Sequence, residues 1–252
     1  MKNAIKAIVS GIALTCLVAA PGYAATITWD GGGGDDNWST GDNWSGTPDN
    51  TSPVDGDSVV LTPTAQSRLD YSLTIESGQS LTSTTSGFGD EVALVSSGDL
   101  TLATGGIIDI GFMRPRFSSG GQFTIEPGAT LDTDNYGLGS TSASITFIAD
   151  ANGVTLWDSA GGQFQMGGDN LIVDLTNYDF SNGNTLTLVD YGDTSGQTFA
   201  SVSVLGAPGF TIDYGSGTND AITLTAIPEA STLALFGLGA VGLCLCGRRR
   251  QR

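Results

Sequence analysis

Short apolar runs separated by Gly, Asn and Asp dominate the central part of this chain. Between residues 26 and 226 no apolar period of 3.6 residues is sustained, whereas short runs of Val, Ile, Leu and Phe recur. Turn-forming residues fill nearly every gap between these runs. The pattern predicts an all-β body with strands at Ser58–Leu61, Ser72–Ile75, Val92–Val95, Leu100–Leu102, Ile107–Ile110, Gln122–Ile125, Ser144–Ile148, Leu171–Leu175, Thr185–Val189, Ser201–Leu205, Phe210–Ile212 and Ala221–Leu224.

A weak internal repeat favours one all-β architecture. Segment 73–81, Leu-Thr-Ile-Glu-Ser-Gly-Gln-Ser-Leu, parallels segment 123–131, Phe-Thr-Ile-Glu-Pro-Gly-Ala-Thr-Leu, and looser copies place further glycines at positions 98 and 153. A strand, a glycine corner and a new strand at this recurring interval favour a parallel β-helix or solenoid, with an antiparallel β-sandwich as the alternative. We expect a solenoid-like body over residues 26–170 and a hairpin-rich β region over 171–226.

Both ends of the chain differ from this body. Residues 1–25 carry two lysines, an apolar run and a small-residue zone ending in Ala24 and Ala25, which predicts a helical signal peptide cleaved after one of these alanines. At the other end, an apolar run from Ala230 to Gly247 precedes Arg248, Arg249 and Arg250. Such a run is long enough for one transmembrane helix, and the arginines would hold its end in the cytoplasm.

The C-terminal segment 227–252 resembles the PEP-CTERM sorting signal, whose tail is also catalogued as the "ice-binding protein C-terminal" domain. Pro228, Glu229 and Ala230 occupy the place of its Pro-Glu-Pro motif, followed by the apolar run and the arginine cluster. Ala230 replaces the second proline, which leaves the cleavage of the tail open. The resemblance implies an inner-membrane intermediate, processing by an exosortase-like enzyme, and delivery to the cell surface or extracellular space.

Charge and residue types restrict the chemistry of the body. The formal net charge is −17, and all but one of the 26 acidic residues lie in the body, which holds three arginines and neither Lys, His nor Cys. So acidic a surface repels phosphate backbones, so we expect no nucleic-acid partner. Without imidazole, thiol or amine groups, only carboxylates, Arg, Tyr and hydroxyls remain for catalysis, so a polysaccharide hydrolase or lyase is a minor alternative.

The beginning of the body repeats the motif Asp-Asn-Trp-Ser at 36–39 and 42–45. This opening resembles that of autotransporter-like β-helix proteins and implies a first coil closed by tryptophans. Trp29, Trp38 and Trp44 are therefore expected either to cap the solenoid or to provide an aromatic platform for sugar rings. Asp30, Asp35 and Asp36, beside a glycine run, are candidate ligands of Ca²⁺, although Asp also simply favours turns.

These observations together predict an exported structural or adhesive protein of the bacterial surface, extracellular matrix or biofilm. The resemblance of the tail makes an extracellular polysaccharide the expected partner, bound through many weak contacts. No catalytic residue is assigned. A carboxylate-only carbohydrate-active enzyme and a calcium-stiffened matrix protein are the alternatives. Pairs of the form Thr-x-Thr occur at no constant period, so an ice-binding surface is not expected.

Overall fold

The computed structural model describes residues 25–46, 51–62, 66–83, 91–95, 99–116, 121–137 and 143–227. The predicted signal helix with Ala24, and the predicted transmembrane tail with its sorting residues Pro228, Glu229, Ala230, Arg248, Arg249 and Arg250, lie outside these residues. Within the described part of the chain, no helix has the length and apolar character needed to cross a membrane.

The described residues form strands joined by tight corners, with two single-turn 3₁₀ helices at Gly41–Asn43 and Phe180–Asn182. The strands are Thr26–Trp29 (β1), Trp44–Ser45 (β2), Ser58–Leu61 (β3), Gln66–Leu69 (β4), Leu73–Ile75 (β5), Ser80–Ser83 (β6), Glu91–Val95 (β7), Leu100–Leu102 (β8), Ile107–Arg116 (β9), Gln122–Ile125 (β10), Thr130–Tyr136 (β11), Ser144–Ile148 (β12), Trp157–Gln163 (β13), Asn170–Asp174 (β14), Thr185–Asp193 (β15), Ser201–Leu205 (β16), Gly209–Asp213 (β17) and Thr218–Ile227 (β18).

Most of these strands stack in parallel as two sheets around one core. Sheet A contains the parallel series β1, β3, β6, β9, β11, β13 and β15, and sheet B contains β5, β8, β10, β12, β14 and β16. Strands β4 and β7 pair with each other, and β7 also pairs with the second half of β9. The chain thus alternates between the two sheets, which confirms the parallel β-solenoid and excludes the antiparallel sandwich.

Rows of apolar residues from successive coils build the core. On sheet B the row Leu73, Leu100, Phe123, Ile145 and Leu171 is in register, and each side chain is at most 2% exposed. A strand of three to five residues with alternating inward positions supplies only two such side chains. Each coil therefore depends on its neighbours to cover its apolar face, as expected of a solenoid.

Glycine corners repeat in register between the two sheets. Gly78, Gly105 and Gly128 have φ values of +80°, +78° and +75°, a region that residues with a Cβ rarely adopt. The N–H of Gly78 donates to the carbonyl of Gly105 over 3.0 Å, and the N–H of Gly105 donates to Gly128 over 3.2 Å. The corners predicted at 78 and 128 are confirmed, and Gly105 adds a third copy between them; Gly153 also has a positive φ of +143°, and Gly98 lies outside the described residues.

The parallel coils extend further along the chain than we expected. Strand β14, which spans the expected boundary, and strands β15 and β16 beyond it still pair in parallel with the preceding coils. Antiparallel pairing starts only with β17 and β18, which continue sheet A beyond β15. Parallel pairing therefore continues to Leu205, within the region from residue 171 that we expected to be rich in hairpins. The stacking of β16 on β14 explains this, because Val202 and Val204 continue the inward apolar rows of sheet B.

Candidate functional site

Three tryptophans close the N-terminal end of the solenoid. Trp29, Trp38 and Trp44 are 4%, 0% and 1% exposed. Trp44 contacts the other two rings edge to face, with centroid distances of 4.8 and 5.0 Å, and its Nε1 donates to the carbonyl of Trp38 over 2.8 Å. Sugar stacking needs an exposed ring face, and in this structure all three rings are buried against one another.

The acidic loop next to this cap is organised by the buried Asn43. Its Oδ1 accepts from the N–H of Gly33 over 2.8 Å, and its Nδ2 donates to the carbonyls of Asp35 and Asn37, each over 3.0 Å. The Oδ1 of Asp35 also accepts from the N–H of Asn37, and this bond lowers the pKa of Asp35. The loop is therefore a set of local hydrogen-bonded turns.

The three candidate calcium ligands have three different partners. Asp30 accepts from the N–H of Gly32 over 3.0 Å, and Asp36 lies 3.9 Å from the guanidinium of Arg68. In the described ranges, no group of three or more His, Cys, Asp or Glu side chains has an arrangement that would hold a metal ion. Asp30, Asp35 and Asp36 are thus near in sequence but do not form one ligand set.

A row of four aspartates runs across the outer face of sheet A. Asp109 pairs with Asp132, Asp132 with Asp158, and Asp158 with Asp190, each on the next parallel strand. Neighbouring parallel strands are about 4.8 Å apart, so carboxylates lie beside one another along the solenoid axis. We name these four residues the Asp row.

Within the Asp row, Asp132 has a negative charge on each side. The pKa of Asp132 is raised, first by partial burial and then by the negative charges of Asp158, Asp109 and Asp134. Asp132 occupies an inner position with an aspartate on both sides, whereas Asp190 is followed on β18 by Ala221. The outer face of sheet A is therefore strongly acidic and repels polyanions.

Sheet B presents a different, uncharged row. Thr74, Thr101, Thr124 and Thr146 are in register on β5, β8, β10 and β12. Their side chains are half-buried and alternate with the buried apolar positions, so they lie on the outer face. Ile172 and Ser203 continue the same row on β14 and β16. We name the four threonines the Thr row; its hydroxyl groups can both donate and accept hydrogen bonds.

Sequence reasoning missed both rows because each strand contributes only one residue to a row, and successive members of a row are far apart in the sequence. Threonine pairs of the form Thr-x-Thr were considered, but the row is made of single threonines. The available signal was the repeated triplet apolar-Thr-apolar at 73–75, 100–102, 123–125 and 145–147. The register that aligns these triplets depends on corner lengths, which vary from coil to coil.

The fold and its two rows define a parallel β-solenoid whose patterned chemistry lies on its outer faces. The chain also carries a sorting signal, since residues 226–250 match the PEP-CTERM protein-sorting motif. This motif implies exosortase-dependent sorting to the cell surface or extracellular space. No curated protein and no solved structure matches the chain.

Proposed function

We propose that this exosortase-sorted protein acts as a structural and adhesive component of the extracellular matrix, and that its partner is a neutral polysaccharide. The in-register Thr row is the observation that supports this proposal. Its hydroxyls offer repeated donors and acceptors to sugar hydroxyls, and a carboxylate contacts the row at one end, where Asp55 accepts from the N–H of Thr74 over 2.7 Å.

The electrostatics of the two faces favour an uncharged partner. The Asp row makes the face of sheet A repulsive toward anionic polymers, whereas the Thr row on sheet B carries no charge. Single hydroxyl contacts exchange with water and contribute little each. A polymer that contacts several coils at once gains from their effective concentration, so repetition rather than a deep cleft supplies the avidity.

Binding and cleavage are best measured together. The exported protein is incubated with extracellular polysaccharide of its source organism, and co-sedimentation and release of reducing ends are followed with calcium and with a chelator. We expect co-sedimentation without new reducing ends. New reducing ends would contradict the proposal in favour of the carboxylate-only enzyme, and binding lost on chelation would favour the calcium-stiffened matrix protein.

A matched pair of double variants tests the face. T101V/T124V removes two central hydroxyls from the Thr row while keeping β-branched side chains. T28V/T82V removes two outward hydroxyls from sheet A, where Thr28 and Thr82 continue the line of the Asp row. We expect the first variant to lose binding severalfold and the second to bind like the wild type. Equal binding by both variants would exclude the Thr row as the contact.

A further inference from the structure

We propose that the corner from which the C-terminal tail leaves the solenoid is a membrane-contact surface, which seats the body directly on the lipid bilayer while the tail spans it. We name Leu205, residues 206–208, Gly209 and Ile227 the exit corner. The inference rests on the predicted transmembrane helix of the tail and is independent of the polysaccharide proposal, which concerns the Thr row.

The last three strands bring the exit corner together. Strand β16 ends at Leu205, a short turn leads to Gly209 at the start of β17, and Gly209 is paired with Ile227 at the end of β18. Ile227 is the last described residue, and the sorting motif begins one residue earlier, inside the same strand. The tail therefore leaves the folded body at this corner.

Two large apolar side chains are exposed at the exit corner. Leu205 is 48% exposed and Ile227 is 54% exposed, whereas the preceding Ala226 is fully buried. A Cβ added to Gly209 would lie 3.4 Å from Cδ1 of Ile227, so this side chain lies over the first residue of β17. Single exposed apolar residues are ordinary on protein surfaces. Here, however, two of them flank the point at which a predicted membrane helix begins.

The length of the tail brings this corner to the membrane. The apolar run 230–247 has 18 residues, and as a helix it would measure about 27 Å against a hydrocarbon core of about 30 Å, so its first residue has to lie at the boundary of the core. Only Pro228 and Glu229 separate this residue from Ile227, and three residue steps span at most about 11 Å. The headgroup layer is about 5–8 Å thick on each side. Ile227 therefore lies within this layer or directly above it.

The distribution of charge along the hairpin of β17 and β18 favours the same end. The paired segments 209–212 and 224–227 at the exit end carry no charge. The other end of the hairpin carries Asp213 at the end of β17 and Asp220 near the start of β18. Because anionic headgroups repel an acidic surface, the hairpin approaches a bilayer with its uncharged end.

Two acids beside the exit corner limit the depth of the contact. Asp174 is the partner of Leu205 on β14, and its Oδ1 accepts from the N–H of Thr176 over 2.9 Å. Glu229 stands in the linker to the apolar run. Since a carboxylate is costly inside the hydrocarbon, the exit corner contacts the headgroup layer and the boundary of the core but does not enter the core itself.

The contact needs little affinity of its own. Two aliphatic side chains that are each about half exposed gain only modestly when lipid covers them. The tail, however, holds them beside the bilayer at a high effective concentration, so a small gain is enough to favour contact. The exit corner is therefore a seat for the tethered protein and not an independent membrane anchor.

The first test measures how close the exit corner lies to lipid. The chain that retains its tail, with its three natural cysteines replaced by alanine, is reconstituted into phosphatidylcholine–phosphatidylglycerol vesicles with nitroxide-labelled headgroups. A fluorophore is attached at S203C, two residues before Leu205, or at S77C in an earlier corner; both positions are exposed. We expect severalfold stronger quenching at 203 than at 77. Equal quenching, or a protein that does not float with the vesicles, would overturn the proposal.

The second test places charge on the exit corner. L205D/I227D adds two negative charges there, and I107D/L156D adds the same charge on sheet A at side chains that are 40% and 43% exposed. In the S203C protein, we expect the first variant to lose quenching severalfold and the second to keep it. Circular dichroism checks that both variants are folded. If L205D/I227D is quenched like the wild type, the tail alone holds the body near the membrane and the proposed contact is wrong.

Discussion

The hydroxyl of Tyr136 donates a 2.8 Å hydrogen bond to Oδ2 of Asp169 inside the solenoid. The other carboxylate oxygen, Oδ1, accepts from the N–H of Ala143 over 3.0 Å, and Asp169 is only 2% exposed. Burial raises the pKa of Asp169 to about 7, although both hydrogen bonds favour the ionised form and lower it. The group that joins β11 to the start of β14 therefore ionises near neutral pH.

This ionisation makes stability depend on pH. Because the folded pKa is raised, the folded state holds its proton where the unfolded carboxyl has already lost it, and stability falls as pH rises from about 4 to about 7. At about 1.4 kcal/mol per pKa unit, the loss amounts to about 4 kcal/mol above that window. D169N should remove this dependence and be more stable than the wild type at pH 8. Urea unfolding from pH 4 to pH 8 measures the difference.

D179N is the matched control for that experiment. Asp179 is an exposed carboxylate that accepts from the N–H of Ser181, and this bond lowers its pKa. The contribution of Asp179 to stability is therefore lost only below about pH 4. Between pH 4 and pH 8, the free energy of unfolding of D179N should change with pH as that of the wild type does. If the free energy of unfolding of D169N also has the same pH dependence as that of the wild type, Asp169 is ionised in the folded protein throughout this range, and the prediction is wrong.

The Asp row should destabilise the solenoid at neutral pH. D132N removes a charge that has a neighbouring aspartate on both sides. D190N removes the charge at the end of the row, which has a neighbouring aspartate on one side only. We expect D132N to raise the free energy of unfolding by less than about 1 kcal/mol, and more than D190N does, because exposed like charges repel weakly. Thermal unfolding at low salt checks this order, and high salt should reduce both gains. A larger gain in D190N would contradict repulsion along the row.

The solenoid architecture could be predicted from the sequence because short local patterns indicate it. Alternating apolar positions marked most strands, and the shared Gly78 and Gly128 corners indicated coils instead of hairpins. The failures were long-range: β9 reaches Arg116, beyond the predicted end at Ile110, because its second half gains β7 as a partner. Pairing between distant segments decides such lengths, and no local pattern encodes it.

Candidate sites were less accessible for the same reason. The acids Asp30, Asp35 and Asp36 attracted attention because they cluster in sequence, yet Asp30 and Asp35 bond within separate turns and Asp36 lies near Arg68. Asp109 and Asp132 are 23 positions apart and adjacent in space. A solenoid brings together residues one coil apart, so its surface chemistry is encoded at the coil interval and not in contiguous motifs.

The tryptophan cap should matter for stability and not for sugar binding. W44A removes a fully buried indole that contacts Trp29 and Trp38, and we expect a loss of about 3–5 kcal/mol. W44F keeps an aromatic ring but loses the bond to the Trp38 carbonyl, so a smaller loss is expected. Denaturation measures both, and polysaccharide co-sedimentation of the folded W44F variant should equal that of the wild type. If folded W44F bound the polysaccharide more weakly than the wild type, the tryptophan cap would be part of the binding site.

Two glycine corners with similar backbone conformation should respond differently to substitution. A Cβ at Gly105 would lie 2.6 Å from Oγ of Ser77, whereas a Cβ at Gly128 would meet its nearest atom, Cγ2 of Thr104, at an ordinary 3.5 Å. G128A should therefore cost only the left-handed backbone penalty, about 1–2 kcal/mol. G105A adds a steric conflict to the same penalty and should be more destabilising.

The double variant G105A/S77G separates these two contributions. Removing the Ser77 side chain removes the steric conflict but leaves the backbone conformation unchanged, so G105A should cost less in an S77G background than in the wild type. A double-mutant cycle from urea unfolding gives this coupling. Additive losses would mean that Ser77 moves aside freely, and that the positive φ alone requires glycine at these corners.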